Sequence, residues 1–151
     1  MHKLLSTFML FLCATTLFAQ SPFVGTWKLD PAKTKYTTGE PSKELTLVIE
    51  EQGDNFQITA SGTNSDGSPL SVKYTVPVKG GTGQVQKGPW DAVSSKAVSA
   101  HVQEVRSSKG GKVVWSRRAL VSQDGKTMRS TVKGVNAAGK TVAGTDVFEK
   151  Q

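Results

Sequence analysis

Phe23-Val24-Gly25-Thr26-Trp27-Lys28-Leu29 is the stretch from which the fold can be read. Phe23, Gly25, Trp27 and Leu29 alternate with Val24, Thr26 and Lys28. A period of two is that of a strand with one buried face, because successive side chains leave a pleated backbone on opposite sides. Downstream the pattern returns. Leu45, Leu47 and Ile49 alternate with Thr46, Val48 and Glu50. Phe56, Ile58 and Ala60 follow a turn at Gly53-Asp54, and Val72, Tyr74, Val76 and Val78 follow one at Asp66-Gly67.

The second half is punctuated the same way. Gly80-Gly81-Thr82-Gly83 is a loop, Val85 sits in a short strand, and Gly88-Pro89-Trp90-Asp91 interrupts the chain again. Ala92 to Lys96 and Val102 to Arg106 read either as two strands turning near Ser99-Ala100-His101 or as one bent strand. Lys109-Gly110-Gly111 and Asp124-Gly125 are hairpin turns on either side of a long strand, Lys112 to Ser122. Met128 to Lys133 and Val142 to Glu149 follow, parted by a turn at Asn136 to Gly139. Residues 31–43 hold two prolines and one glycine, and read as a polar crossing loop in which Tyr36 is the only large apolar residue. No segment keeps a helical period. Eight to ten evenly spaced strands predict an all-β domain, either a sandwich or a barrel; joined as successive hairpins, they favour a single antiparallel up-and-down barrel.

The N-terminus has a different grammar. Met1-His2-Lys3 is basic, Leu4 to Leu12 is almost continuously apolar, and Ala14 to Ala19 is rich in small residues. This is the layout of a secretory signal, and the apolar run is short of the roughly 18 residues of a membrane span. The expectation is a signal over residues 1–19, an exported, periplasmic or secreted protein, and a barrel domain over 20–151. Cys13, the single cysteine, would leave with the signal, so neither a disulfide nor a thiol nucleophile is expected in the mature chain. The net charge of +7 is carried by scattered lysines and arginines without a polybasic run, which reads as a solvated basic surface and not as a nucleic-acid site.

Phe23–Leu29 resembles the opening of the calycin superfamily, which holds lipocalins and fatty-acid-binding proteins: Gly25 and Trp27 match the lipocalin Gly-x-Trp. Val147-Phe148-Glu149-Lys150 is similar to the Val-Tyr-Glu-Lys close of fatty-acid-binding proteins. A start like GTWKLDPAK and a segment like DGKTM also resemble a group of small exported bacterial proteins. The resemblance implies a lipocalin-like barrel whose base is closed by Gly25, Trp27 and a late-strand arginine, Arg118 or Arg117, stacked on the indole. The carboxylate clamp of fatty-acid-binding proteins has two arginines and a tyrosine. Arg117 falls where the first would be, but Asp146 and Phe148 stand at the other two positions. No room exists between Leu29 and Glu44 for that family's two lid helices. The implied fold is therefore a lipocalin-like barrel with no helical lid.

The strand Lys112–Ser122 carries an arginine on each face, so alternation leaves open whether Arg117 or Arg118 points inward. An inward arginine would mark an anion site or a buried ion pair, with Asp146 as a candidate partner. Phe56, Tyr74, Trp115, Arg117 and Met128 are the candidate ligand-binding residues; the same apolar side chains, with Val102, could instead fill a solid core. Enzyme chemistry finds little support. His101 is the one histidine beyond the signal and sits in a turn, Glu50, Glu51 and Asp54 cluster at a strand end, and no metal-ligand spacing is present. The expected function is non-catalytic binding of a small apolar or amphipathic molecule by a monomer, without cofactor, metal, nucleic acid or stable membrane insertion. The alternative is a solid barrel acting through its surface as an envelope, interaction or inhibitor module.

Overall fold

The computed structural model describes residues 19–136 and 138–151. The expected signal, apart from Ala19, lies outside the described residues, and so does Cys13. Every regular element described is a strand: β1 (Gly25–Leu29), β2 (Lys35–Thr38), β3 (Glu44–Gln52), β4 (Asn55–Thr63), β5 (Pro69–Pro77), β6 (Gly81–Thr82), β7 (Gln84–Lys87), β8 (Ala92–Ser99), β9 (Val102–Lys109), β10 (Lys112–Val121), β11 (Thr127–Val135) and β12 (Thr141–Lys150).

The strands form one antiparallel sheet in the order β6-β8-β9-β10-β11-β12-β1-β3-β4-β5-β7, curled into a nearly closed barrel. Sequence neighbours pair almost throughout, as hairpin turns dictate. Two seams complete the ring. At one, the first and last strands meet, with Trp27 opposite Lys150 and Leu29 opposite Phe148. At the other, Gly81 and Thr82 pair with Ser95 and Ser94, whereas Gln84 to Lys87 pair with β5. Between them the Gly83 amide donates to the Val93 carbonyl at 2.8 Å. Segments β6 and β7 are thus two halves of one stave that changes partner at Gly83. Closure leaves little unpaired edge for another chain to use.

The strand count of twelve exceeds the eight to ten expected, for two reasons. The stave broken at Gly83 counts twice, and the crossing loop contains β2. This short strand lies off the ring and pairs with β12, Tyr36 opposite Gly144. The turn before it is tied to β12 as well: the Asp30 amide donates to the Val147 carbonyl, and the Val147 amide donates to Thr34 Oγ1. The ambiguity at residues 92–106 resolves into two strands, a hairpin turning at Ala100-His101.

The interior has two distinct halves. At one end Phe23, Trp27, Phe56, Val76, Val121, Met128 and Phe148 are at most 4% exposed and pack into one core. Phe23 and Phe56 meet at 6.1 Å between ring centroids. The other end is hollow.

Candidate ligand cavity

The hollow half encloses about 450 Å³. Its walls follow from the period-two pattern: Leu45 and Leu47 of β3, Ile58 and Ala60 of β4, and Leu70, Val72 and Tyr74 of β5 supply one side. Val105 and Ser107 of β9 with Trp115 and Arg117 of β10 supply the other. Loop residues Ser42, Asn64, Pro89, Trp90 and Asn136 form the rim. Trp90 stands edge-on to Tyr74, 6.2 Å between centroids at 73°, so an aromatic corner faces the space. A cavity of this size counts against a barrel packed solid from end to end; ligand pockets run from roughly 300 to 1,000 Å³.

Polar groups enter this space from several strands. Asp146 of β12 is 3% exposed. Its Oδ1 accepts a hydrogen bond from the Tyr36 hydroxyl at 3.0 Å, and its Oδ2 lies 3.9 Å from Arg117 Nη2. The guanidinium also lies over the Phe148 ring, 5.5 Å from its centroid. Burial holds the Asp146 carboxyl above the usual carboxylate range, against the opposing pull of Arg117 and the Tyr36 hydrogen bond. Burial, and then the Asp146 charge, push the Tyr36 phenol up. Burial also raises the Tyr74 phenol, with Arg117 pulling the other way. Gly144 makes the arrangement sterically possible: a β-carbon there would collide with the Tyr36 ring. The ring can therefore lie across β12 and put its hydroxyl on Asp146.

The structure separates the residues singled out from sequence. Tyr74, Trp115 and Arg117 line the cavity. Phe56 and Met128, 2% and 1% exposed, are in the packed core at the other end. The question of the two arginines is settled by the pleat: Arg117 points in, and Arg118 points out to an ion pair with Glu104. Simple alternation would put Val113 on the face of Trp115, but it is 52% exposed because the strand bulges between the two. Trp27 is fully buried, and its indole Nε1–H donates to the Phe23 carbonyl at 2.8 Å. The cation over its ring is Lys150, 5.1 Å from the centroid, and not the arginine that the resemblance implied. Gly25 leaves the path for that lysine, since a β-carbon would strike Lys150 Cε, and its φ of 141° suits glycine. His101 sits in the β8–β9 turn with Nδ1 3.1 Å from the Val121 carbonyl.

Sequence reasoning missed Tyr36, Trp90 and Ser107. Tyr36 did carry a signal, a lone aromatic in a polar segment. Trp90 was hidden by its Gly-Pro loop and Ser107 by its ordinary polarity.

No family model matches the chain, and no curated protein matches it. Among solved structures it is similar to lobster apocrustacyanin A1, with 12% identity and a TM-score of 0.44, over 86% of this chain and 61% of that one. It is likewise similar to apocrustacyanin C2, with 12% identity and a TM-score of 0.45, over 87% and 62% of the two chains. The chain thus spans about three fifths of the length of these structures. A likeness this remote transfers neither ligand nor activity, and the fold class rests on the strand order itself.

Proposed function

We propose that this protein is an exported, non-catalytic barrel that holds one small apolar or amphipathic molecule in its hollow half. The observation that carries the reading is the cavity of about 450 Å³, walled mainly by aliphatic and aromatic side chains with a few buried polar groups among them. That composition is the usual one of small-molecule sites, where apolar walls supply affinity and sparse polar groups supply orientation. On this reading the protein is a calycin-type monomer akin to small exported bacterial proteins. It works in the periplasm or outside the cell after losing residues 1–19.

Native mass spectrometry of protein recovered from its exported fraction, with uptake of an apolar fluorescent dye, tests the binding. A bound small molecule, or dye uptake that Ala60→Phe abolishes, is the expected result; no bound species and no uptake would sink the reading. N-terminal sequencing of the same sample should begin near Gln20, and retention of Met1 would remove the export part.

A further inference from the structure

Among the described residues, two donors in the hollow half find no acceptor. Arg117 Nε and Ser107 Oγ are buried without a hydrogen-bond partner, and both residues line the cavity. Ser107 is 1% exposed. They stand on the same inner face of adjacent strands. Ser107 pairs with Trp115 and Val105 with Arg117, which puts the two one diagonal step apart. A buried donor without an acceptor is costly; both atoms are closed off from the cavity as the side chains stand, and a small rotation toward a guest's acceptor oxygen would pair them.

The neighbouring charge decides which acceptor fits. Asp146 stands beside Arg117 and is itself held by Tyr36, so the guanidinium is already compensated by a carboxylate of the protein. A guest carboxylate would enter a site of no net charge, shed its own water and meet Asp146 as a like charge. A carbonyl oxygen accepts the same hydrogen bonds without that desolvation. Resting on the binding reading above, we propose that the hollow half selects an apolar molecule bearing a neutral carbonyl, as in a ketone, ester or amide. Arg117 and Ser107 grip that oxygen, and free carboxylates are disfavoured.

Three probes of one chain length separate the possibilities: methyl heptyl ketone, nonanoate and nonane. Each is titrated into the mature protein, with Trp90 and Trp115 at the cavity as fluorescent reporters and uptake of an apolar dye measured in the same samples. The ketone should bind about tenfold tighter than either of the others, the worth of one well-made hydrogen bond. Nonanoate binding as tightly as the ketone, or the ketone no better than nonane, overturns the proposal while dye uptake keeps the binding reading alive. Failure of all three probes and of the dye overturns both.

Two variants sharpen the test, each read as a ratio between probes within one protein, so a general loss of stability cancels. Ser107→Ala should lower the ketone-to-nonane preference several-fold. Asp146→Asn leaves the Arg117 charge uncompensated and should swing preference toward nonanoate by about tenfold. Ratios unchanged in both variants would overturn the assignment.

Discussion

The packed and hollow ends of this barrel are built from the same strands, and single strands cross from one regime to the other within a few residues. Along β10, Val121 and Ala119 are core, whereas Arg117 and Trp115 face the cavity. Along β12, Phe148 is fully buried and Asp146, one inward step earlier, brings a carboxyl group to the cavity. The packed end has five aromatic or sulfur-bearing side chains converging, Phe23, Trp27, Phe56, Met128 and Phe148. The hollow end is walled by Leu47, Ile58, Ala60, Val72, Tyr74 and Trp115, which stand around the space without filling it. The difference teaches that in a small barrel the side chains that meet at inward positions set whether an end is core or container, since such a ring has room either for packed side chains or for one small ligand.

Substitutions can break that contrast. The largest effect is expected from Trp27→Ala at the packed end, a loss of roughly 3–5 kcal/mol in denaturant unfolding, because a fully buried indole leaves a cavity that close neighbours cannot collapse into. A matched pair comes next. Val121→Phe overpacks the same end and should cost about 1–3 kcal/mol. Ala60→Phe projects into existing space, so it should leave stability nearly unchanged and abolish dye uptake. Equal costs for the two would mean that the ends do not differ. Lys150→Ala removes the cation over Trp27 and should cost about 0.5–1 kcal/mol, since the ammonium is at an exposed position.

The smallest effect is a pH dependence specific to the hollow end. Asp146 holds its proton more tightly folded than unfolded, because burial outweighs Arg117 and Tyr36. Between the ordinary carboxylate value and the raised native one, the folded state therefore binds more protons than the unfolded state. By linkage, stability from this group falls as pH rises through that interval and is regained on acidification. The wild type should gain on Asp146→Asn as pH drops through the interval, with a constant difference above it. Unfolding curves of the two proteins across mildly acidic pH check this, and an opposite slope would show that Arg117 and Tyr36 dominate instead.

Much of the wall was legible because a strand reports its own faces. The alternation over Phe23–Leu29, Leu45–Ile49 and Phe56–Ala60 marks inward positions that the structure buries. Irregularities escaped this logic. The bulge that exposes Val113 and the partner switch at Gly83 depend on which strand lies alongside. Tyr74, Trp115 and Arg117, which line the cavity, were named from the strand pattern, as was Asp146 as an ion-pair candidate. Tyr36 was not, because its place over β12 depends on Gly144, about a hundred residues away.

By itself the sequence determined the all-β class, the turns, the antiparallel order and the inward residues of most strands, because these follow from a local period of two and from glycine-containing turns. Only the tertiary structure decided which inward residues meet. Phe56 and Tyr74 carry the same kind of signal and both are buried, yet only Tyr74 also faces the cavity. The reason is that local pattern fixes the direction of a side chain from its strand, whereas emptiness is a property of what arrives from the other strands around the ring.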